Sequence, residues 1–316
     1  MSEYVKPTGD PPDKRIASEA VAAAVAAALA TELAKPLAPG LHLVATPIGN
    51  LADTSLRAVA VLARADLVYC EDPRHSLKLL NHFGLRRPLG AYHEHNGERE
   101  RPKILAALQA GRSVALISDA GTPLISDPGF KLVRAVQAAS LPVTAVPGPC
   151  AAIAALSIAG LPTDSFQFEG FLPAKTVARR ARIEELAALP ATLILYEAPQ
   201  RLAETLRDLA AGFGGREAVV ARELTKLHEE VRRGALIALA EWAAANPPKG
   251  EIVILVGPPS ITEASEDEIV ARLRTALASM SLRDAVREVV AATRTARSRV
   301  YEIGLKLKRT SGEDEK

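Results

Sequence analysis

Between Ser118 and Gly129 the chain holds two aspartates, two glycines and two prolines, in the order Ser118-Asp-Ala-Gly-Thr-Pro-Leu-Ile-Ser-Asp-Pro-Gly129. Glycine lets a backbone approach a ligand closely, proline fixes the path, and a carboxylate at a strand end can hold ribose hydroxyls or an amino group. The same aspartates, Asp119 and Asp127, could instead cap the helix that follows. Three further loops have a comparable make-up: Pro47-Ile48-Gly49-Asn50, Glu71-Asp72-Pro73-Arg74-His75 and Pro147-Gly148-Pro149-Cys150. Other chemistry is excluded by what is missing. There is no Walker phosphate loop, no Gly-x-Gly-x-x-Gly turn after the first strand, no His-Glu-x-x-His helix and no Gly-x-Ser-x-Gly elbow. Common nucleotide hydrolases, ordinary dinucleotide dehydrogenases, zinc peptidases and α/β-hydrolases are thereby disfavoured. His93 and His95 flank Glu94, but two histidines one residue apart with no other clustered Cys or His are poor ligand spacing, so no metal is expected.

All four loops follow short apolar runs, at Leu41–Thr46, Leu67–Cys70, Val114–Ser118 and Val143–Val146. Stretches of helical periodicity separate them: Leu56, Val59, Ala60 and Leu62; then Ile104, Leu105 and Leu108; then Phe130, Val133 and Val136. Strand, loop, helix in repetition predicts an α/β fold with a mostly parallel sheet, whose ligands gather beyond the strand carboxyl ends. From Gly160 to Phe171 the pattern breaks, as at a passage to a second domain. Strands then resume at Thr192–Tyr196, Ala218–Ala221 and Ile252–Val256, among helices at Ala178–Ala188, Arg201–Leu209 and Leu236–Ala244, which predicts a smaller domain with a mixed sheet. Beyond Pro259 only helices are expected, opened by Ser265 with Glu268 and Ser281 with Asp284 at capping-box spacing. The expected units are an extension at 1–40, α/β domains at 41–160 and 161–260, and a helical appendage at 261–316.

Hydrophobic residues make up 48% of the chain but aromatics only 4%, so the cores should be aliphatic. A net charge of +2 over 316 residues means that a nucleic-acid partner must be held by local patches. The last two helices carry Arg283, Arg287, Arg294, Arg297, Arg299, Lys306, Lys308 and Arg309 against few acids, a face that attracts phosphates. Cys70 and Cys150 lack disulfide or zinc spacing and read as small buried thiols of a reducing compartment. Ala17–Ala34 is interrupted by Glu19 and Glu32, so it is neither an export signal nor a membrane span. Val21, Val25, Leu29 and Leu33 instead suggest an appended amphipathic helix after a disordered Pro-rich start.

Taken together, Thr46-Pro-Ile-Gly-Asn-Leu-Ala-Asp53, Glu71-Asp-Pro-Arg-His75, the 118–129 loop, Pro147-Gly-Pro-Cys-Ala-Ala152, Glu169-Gly-Phe-Leu-Pro-Ala-Lys175 and Arg222-Glu-Leu-Thr-Lys226 resemble the signature blocks of the ribosomal RNA small subunit methyltransferase I family. That family is the RNA-directed branch of the tetrapyrrole methylase (class III) superfamily, and the likeness runs from about Leu41 to Leu307. The resemblance implies a cytoplasmic, two-domain α/β homodimer that binds S-adenosylmethionine in an interdomain cleft and methylates the ribose 2′-oxygen of a decoding-centre cytidine in 16S rRNA of the small ribosomal subunit. Carried over by position, it implies a cofactor pocket of Pro47, Asp119, Ala120, Gly121, Thr122, Cys150, Ala151, Tyr196, Gly250 and Glu251. One departure is Pro73, which stands where the family pattern has threonine.

Methyl transfer is an in-line displacement, helped by a base or by a cation that stabilises a developing alkoxide. Arg222, Glu223 and Lys226 are the first candidates and Glu71, Arg74 and His75 the second, although the former could equally be a structural ion-pair group. Lys175, Arg179, Arg180 and Arg182 open a helix where positive charge opposes its dipole, so Lys175, Arg179 and Arg180 join Arg294, Arg297, Arg299 and Lys306 as candidate RNA contacts, with a merely solvated face as the alternative. Two rival functions are a methyltransferase acting on a tetrapyrrole, which needs an apolar macrocycle pocket, and a non-catalytic RNA-binding assembly factor that uses the tail.

Overall fold

The computed structural model describes residues 14–259, 265–293 and 295–313; the Pro-rich start and Arg294 lie outside them. The first helix, α1 (Lys14–Ala34), packs along α2 (Leu56–Arg64). It keeps Val21, Val25 and Leu33 exposed, so its apolar stripe is only partly used.

Between and beyond these helices run β1 (Gly40–Val44), β2 (Leu67–Cys70), α3 (Pro73–His82), β3 (Leu89–Ala91), α4 (Gly97–Gln109), β4 (Ser113–Ile117), α5 (Phe130–Ala138), β5 (Val143–Val146) and α6 (Ala151–Ala159). The strands form one parallel sheet in the order β3-β2-β4-β1-β5. All five residues of β4 are buried, as the continuous apolar run of a strand covered on both faces requires. Leu62, Val44 and Ile117 pack on one face and Leu41, Ile104 and Leu132 on the other. Because β1 and β4 are neighbours, the loops that leave them meet at the carboxyl edge.

The second sheet is built from β6 (Phe166–Phe171), β7 (Thr192–Glu197), β8 (Glu217–Arg222), β9 (Glu230–Ala235) and β10 (Ile252–Val256), with α7 (Thr176–Leu186), α8 (Leu202–Phe213) and α9 (Leu236–Ala245) between them. Its order is β6-β7-β10-β8-β9, with only β6 and β7 parallel. The mixed sheet was expected, but three of the ten strands among the described residues were not. β3 is only three residues long, and β6 is interrupted by a register shift at Gly170. β9 exposes Arg232 and Arg233, the charged dressing of an edge strand.

Residues beyond Pro258 form a separate compact unit. In it, α10 (Glu266–Leu277), α11 (Leu282–Thr293) and α12 (Arg297–Glu313) bury Ile269, Leu273, Val286, Val289, Val300 and Ile303 together. Ser265 Oγ accepts from Glu268 N at 3.1 Å, and Ser281 Oγ accepts from Asp284 N at 3.2 Å, so both helix starts lie at the serines that the spacing indicated. Among the described residues no helix is long and apolar enough to cross a membrane.

Candidate active-site cleft

The first wall is the set of loops at the carboxyl edge of the parallel sheet, tied together through the 118–129 segment. Thr46 N donates to Gly121 O at 2.9 Å and Gly121 N returns to Thr46 O at 3.1 Å, which joins the loops after β1 and β4. Asp119 Oδ1 accepts from Asp72 N at 3.1 Å, and Thr122 Oγ1 donates to Pro149 O at 2.9 Å, so the other two loops are attached as well. Leu124 and Ser126 hold φ of 74° and 63°, a left-handed conformation that costs about 1 kcal/mol or more for residues with a Cβ.

The second wall comes from the mixed sheet. The Tyr196 hydroxyl, at the end of β7, accepts from Ala152 N at 3.2 Å in the first turn of α6 and so links the two walls. Phe168 and Phe171 meet its ring edge-on at 4.9 and 5.8 Å. A cavity of about 380 Å³ lies between the walls, reached by Ile48, Asp119–Thr122, Ile125–Asp127, Cys150 and Ala151 from one side and by Phe171, Tyr196–Pro199, Leu224 and Gly250–Val253 from the other.

Every expected cofactor residue except Pro47 is on that lining; Pro47 is buried, and its neighbour Ile48 faces the cavity instead. Cys150 is half-buried there rather than a core thiol, whereas Cys70 is buried. None of Arg222, Glu223, Lys226, Glu71, Arg74 and His75 lines it; from the 222–226 block the intervening Leu224 does. Lys226 Nζ sits 2.8 Å from Glu223 Oε1 and 2.9 Å from Glu251 Oε2, and Glu251 N donates to Glu223 Oε1 at 3.0 Å. Burial opposes the lysine charge, but the two carboxylates outweigh it and hold the ammonium pKa above its usual value. Lys226 pulls the Glu223 carboxyl below its usual range, so the lysine is held protonated and the carboxylate is a weaker base than usual. Arg222 lies 3.3 Å from Glu230 and donates to Lys249 O. Arg74 points into solvent and binds both oxygens of Asp72, whose carboxylate caps α3; Pro73 fills the first turn of that helix, where no N–H is needed. His75 is exposed.

Arg179 is a correction. It is fully buried and donates to Asp208 at 2.7 Å and to Glu204 at 2.5 Å, so it pins α7 to α8 and cannot meet RNA. Arg180 is exposed but shares Asp208 at 2.8 Å, and Lys175 is exposed. Arg297, Arg299 and Lys306 occupy exposed positions of α12 in the separate tail unit.

The carboxylates that line the cavity differ in their surroundings. Glu197 is buried and bound by Arg201, the Thr205 hydroxyl and Ala198 N. Among the described residues Asp127 has no such cationic partner. Burial first, then the charges of Glu71 and Asp119, push its pKa up to about 6, against a smaller downward pull from the Ser118 hydroxyl. Asp127 does not cap α5 either: the residue before that helix is Gly129, with no side-chain cap. Residue type alone does not tell these roles apart, since capping and cavity lining both suit an aspartate before a helix. Phe171 was missed along with its strand.

The carboxyl of Asp127 takes its proton more readily in the folded chain than in the unfolded one. Its ionisation therefore costs stability increasingly as pH rises from about 4 to about 6, and fully above that. Asp127→Asn should accordingly stabilise the chain by about 1–2 kcal/mol at pH 7.5 and by almost nothing at pH 4. Urea unfolding at the two pH values measures the difference; an equal effect at both would show that the charge is not responsible.

Residues 40–240 match the family model described as Tetrapyrrole (Corrin/Porphyrin) Methylases, and residues 263–308 match the one described as RsmI C-terminal HTH domain. The chain is 52% identical over 280 residues, 88% of its length and 95% of the relative's, to "Ribosomal RNA small subunit methyltransferase I" of Mesorhizobium japonicum. It is 56% identical over 219 residues, 68% of its length and 78% of the relative's, to the protein of the same name from Pseudomonas aeruginosa. Among solved structures, uroporphyrin-III-C-methyltransferase from Thermus thermophilus superimposes with a TM-score of 0.51 at 23% identity, over 69% of this chain and 94% of that one; at that identity the likeness concerns the fold alone.

Proposed function

This chain belongs to the tetrapyrrole (corrin/porphyrin) methylase family and, within it, to the ribosomal RNA small subunit methyltransferase I group, and on that premise we propose that it is a cytoplasmic S-adenosylmethionine-dependent enzyme that methylates the ribose 2′-oxygen of a cytidine in the decoding centre of 16S rRNA. The observation that carries the reading is the 52% identity to a relative of that name along 95% of the relative's length; the tail has its own match at residues 263–308. The choice of RNA over a tetrapyrrole rests on the same likeness, because the solved tetrapyrrole enzyme cited above shares only the fold.

The residues of the cleft suit the donor. Asp119 and Glu251 offer carboxylates to a cationic ligand, while Ile48, Ala151, Leu224 and Val253 offer apolar surface to a purine. Gly121 and Gly250 hold φ of 83° and 90°, where a side chain would be strained, so the backbone is open to close approach. When bound, S-adenosylmethionine supplies an activated methyl group on a sulfonium. The protein's part is to hold an acceptor oxygen in line with that group and to keep water out. Ile125 and Phe171, exposed at the mouth, give an unstacked base apolar surface to lie on. Lys175, Arg294, Arg297, Arg299 and Lys306 are proposed phosphate contacts, with Arg180 retained as a secondary one; their part is to position the RNA rather than to read it. Pairing of two copies through Phe130, Ile153 and Ile158, exposed on α5 and α6, would cover apolar surface that one chain leaves to water.

The test is transfer of labelled methyl from S-adenosylmethionine to small ribosomal subunits that lack the modification, with the labelled nucleoside identified after digestion. Label on a 2′-O-methylcytidine supports the reading. Label on a base, on a porphyrinoid only, or nowhere overturns it.

A further inference from the structure

The carboxylates that line the cleft are not equivalent. Glu197 is bound by Arg201, Thr205 and Ala198 N, Glu251 is paired with Lys226, and Asp119 accepts from Asp72 N. Among the described residues no cation and no backbone N–H is hydrogen-bonded to Asp127. The charged and titratable groups that act on it are Glu71 from the loop after β2 and Asp119 from its own loop; Tyr196, from the facing wall, is close enough to feel its charge, and His93 acts on Glu71 from behind.

Asp127 follows Ser126, which with Leu124 holds a left-handed conformation that is costly for a residue with a Cβ. Ser126 lies close to the facing wall: a Cβ at Gly170, in β6, would stand 2.9 Å from Ser126 Oγ. Asp127 itself is on the lining of the cavity, with Asp119 from its own loop and Tyr196 from the facing wall.

Resting on the methyl-transfer reading above, we infer that Asp127 is the catalytic base, the group that takes the proton of the acceptor hydroxyl. As the hydroxyl oxygen bonds to the methyl carbon, the methyl–sulfur bond breaks with its electron pair left on sulfur. The hydroxyl proton passes to an Asp127 carboxylate oxygen and leaves later to water. A base is most effective when its proton affinity lies near the working pH; of the carboxylates in the lining, Asp127 is the one whose burial and acidic neighbours bring it there.

The test compares wild type, Asp127→Asn and Ser118→Ala as full-length protein. Donor affinity is read by calorimetry, and single-turnover methyl transfer to small subunits is followed from pH 5 to 9. Asp127→Asn should keep donor affinity within about threefold yet transfer methyl at least about 100-fold more slowly, and the acid limb of the wild-type kcat/KM profile should vanish. Loss of the Ser118 hydroxyl removes a group that favours the charged carboxylate, so Ser118→Ala should move that limb to higher pH. Independently of activity, binding of the cationic donor to wild type at pH 6 should release protons, seen as a dependence of the heat on the buffer's ionisation enthalpy, and Asp127→Asn should abolish the dependence. Wild-type transfer matched by Asp127→Asn, an acid limb unmoved in Ser118→Ala, or a loss of donor affinity as large as the loss of rate would each overturn the inference. Absence of transfer by wild type would instead overturn the function itself.

Discussion

Arg179→Ala should cost the chain about 3–5 kcal/mol, a large share of the 5–15 kcal/mol typical of a folded domain. Arg179 has no exposed surface, and Asp208, its main partner, is 4% exposed. Removal of the guanidinium leaves that carboxylate buried with only Arg180, itself on the surface, to balance it. The single change should therefore hurt more than removal of both charges: Arg179→Met with Asp208→Leu should recover much of the loss, because well-packed apolar groups dispense with the desolvation of both ions. Burial works against the Asp208 charge, but Arg180 and Arg179 outweigh it and depress the carboxyl pKa. Its contribution is thus present at neutral pH and disappears as pH falls through that lowered value. Urea midpoints for the wild type, Arg179→Met, Asp208→Leu and the double close the cycle, with Arg179→Ala measured beside them. A loss under about 1 kcal/mol for Arg179→Ala would mean that the pair behaves like a surface one.

That a residue read as an RNA contact is a buried strut shows where sequence reasoning stops. The strands β1, β2, β4, β7, β8 and β10 were legible because each is a run of apolar residues central in its sheet, and burial of that kind leaves a trace in residue type; β5, an edge strand with Thr144 and Ala145 exposed, was legible from its short apolar run before the Pro147-Gly148-Pro149 turn. Edge strands leave a weaker one: β9 must carry charge to stay unpaired, and the bulge in β6 breaks the alternation. The loops that form the first wall of the cleft were legible, since loops at strand carboxyl ends have to meet, although Ile48 lines the cavity in place of Pro47 and Phe171 and Leu224 on the second wall were not foreseen. The chemical state of the side chains was not. Arg179 and Arg180 are neighbours of one type in one helix and both bind Asp208, and only the packing of α7 against α8, which puts Arg179 on the inner face beside Glu204 as well, decides that the first is enclosed. Asp119 and Asp127 lie in one loop, and only the backbone N–H of Asp72, 47 residues back in sequence but adjacent in space, gives the first a partner that the second lacks.

Gly49→Ala should lower methyl transfer by about 100-fold while leaving the fold intact, because it drives a wedge between the two walls of the cleft. A Cβ at Gly49 would stand 2.5 Å from Lys226 Cγ, 2.8 Å from Thr225 Oγ1 and 2.9 Å from Leu224 O. The lysine stem can swing aside only by leaving Glu223 and Glu251. The Leu224 carbonyl has less freedom still, since Glu223 and Thr225 on either side of it are held at φ of 51° and 65°. The strain must therefore spread to Ile48, Leu224 and Glu251, all on the lining, and a displacement of about 1 Å there is enough to misalign donor and acceptor. Gly49→Ala with Lys226→Ala removes one of the three contacts but not the backbone one, so it should recover only part of the rate. Gly215→Ala, where an added Cβ meets nothing within 4 Å, serves as the control and should transfer methyl as the wild type does. Single-turnover rates for the four proteins, set beside their donor affinities and urea midpoints, separate a displaced cleft from a damaged fold; unaltered transfer by Gly49→Ala would show that the two walls need not stay in register for the reaction to occur.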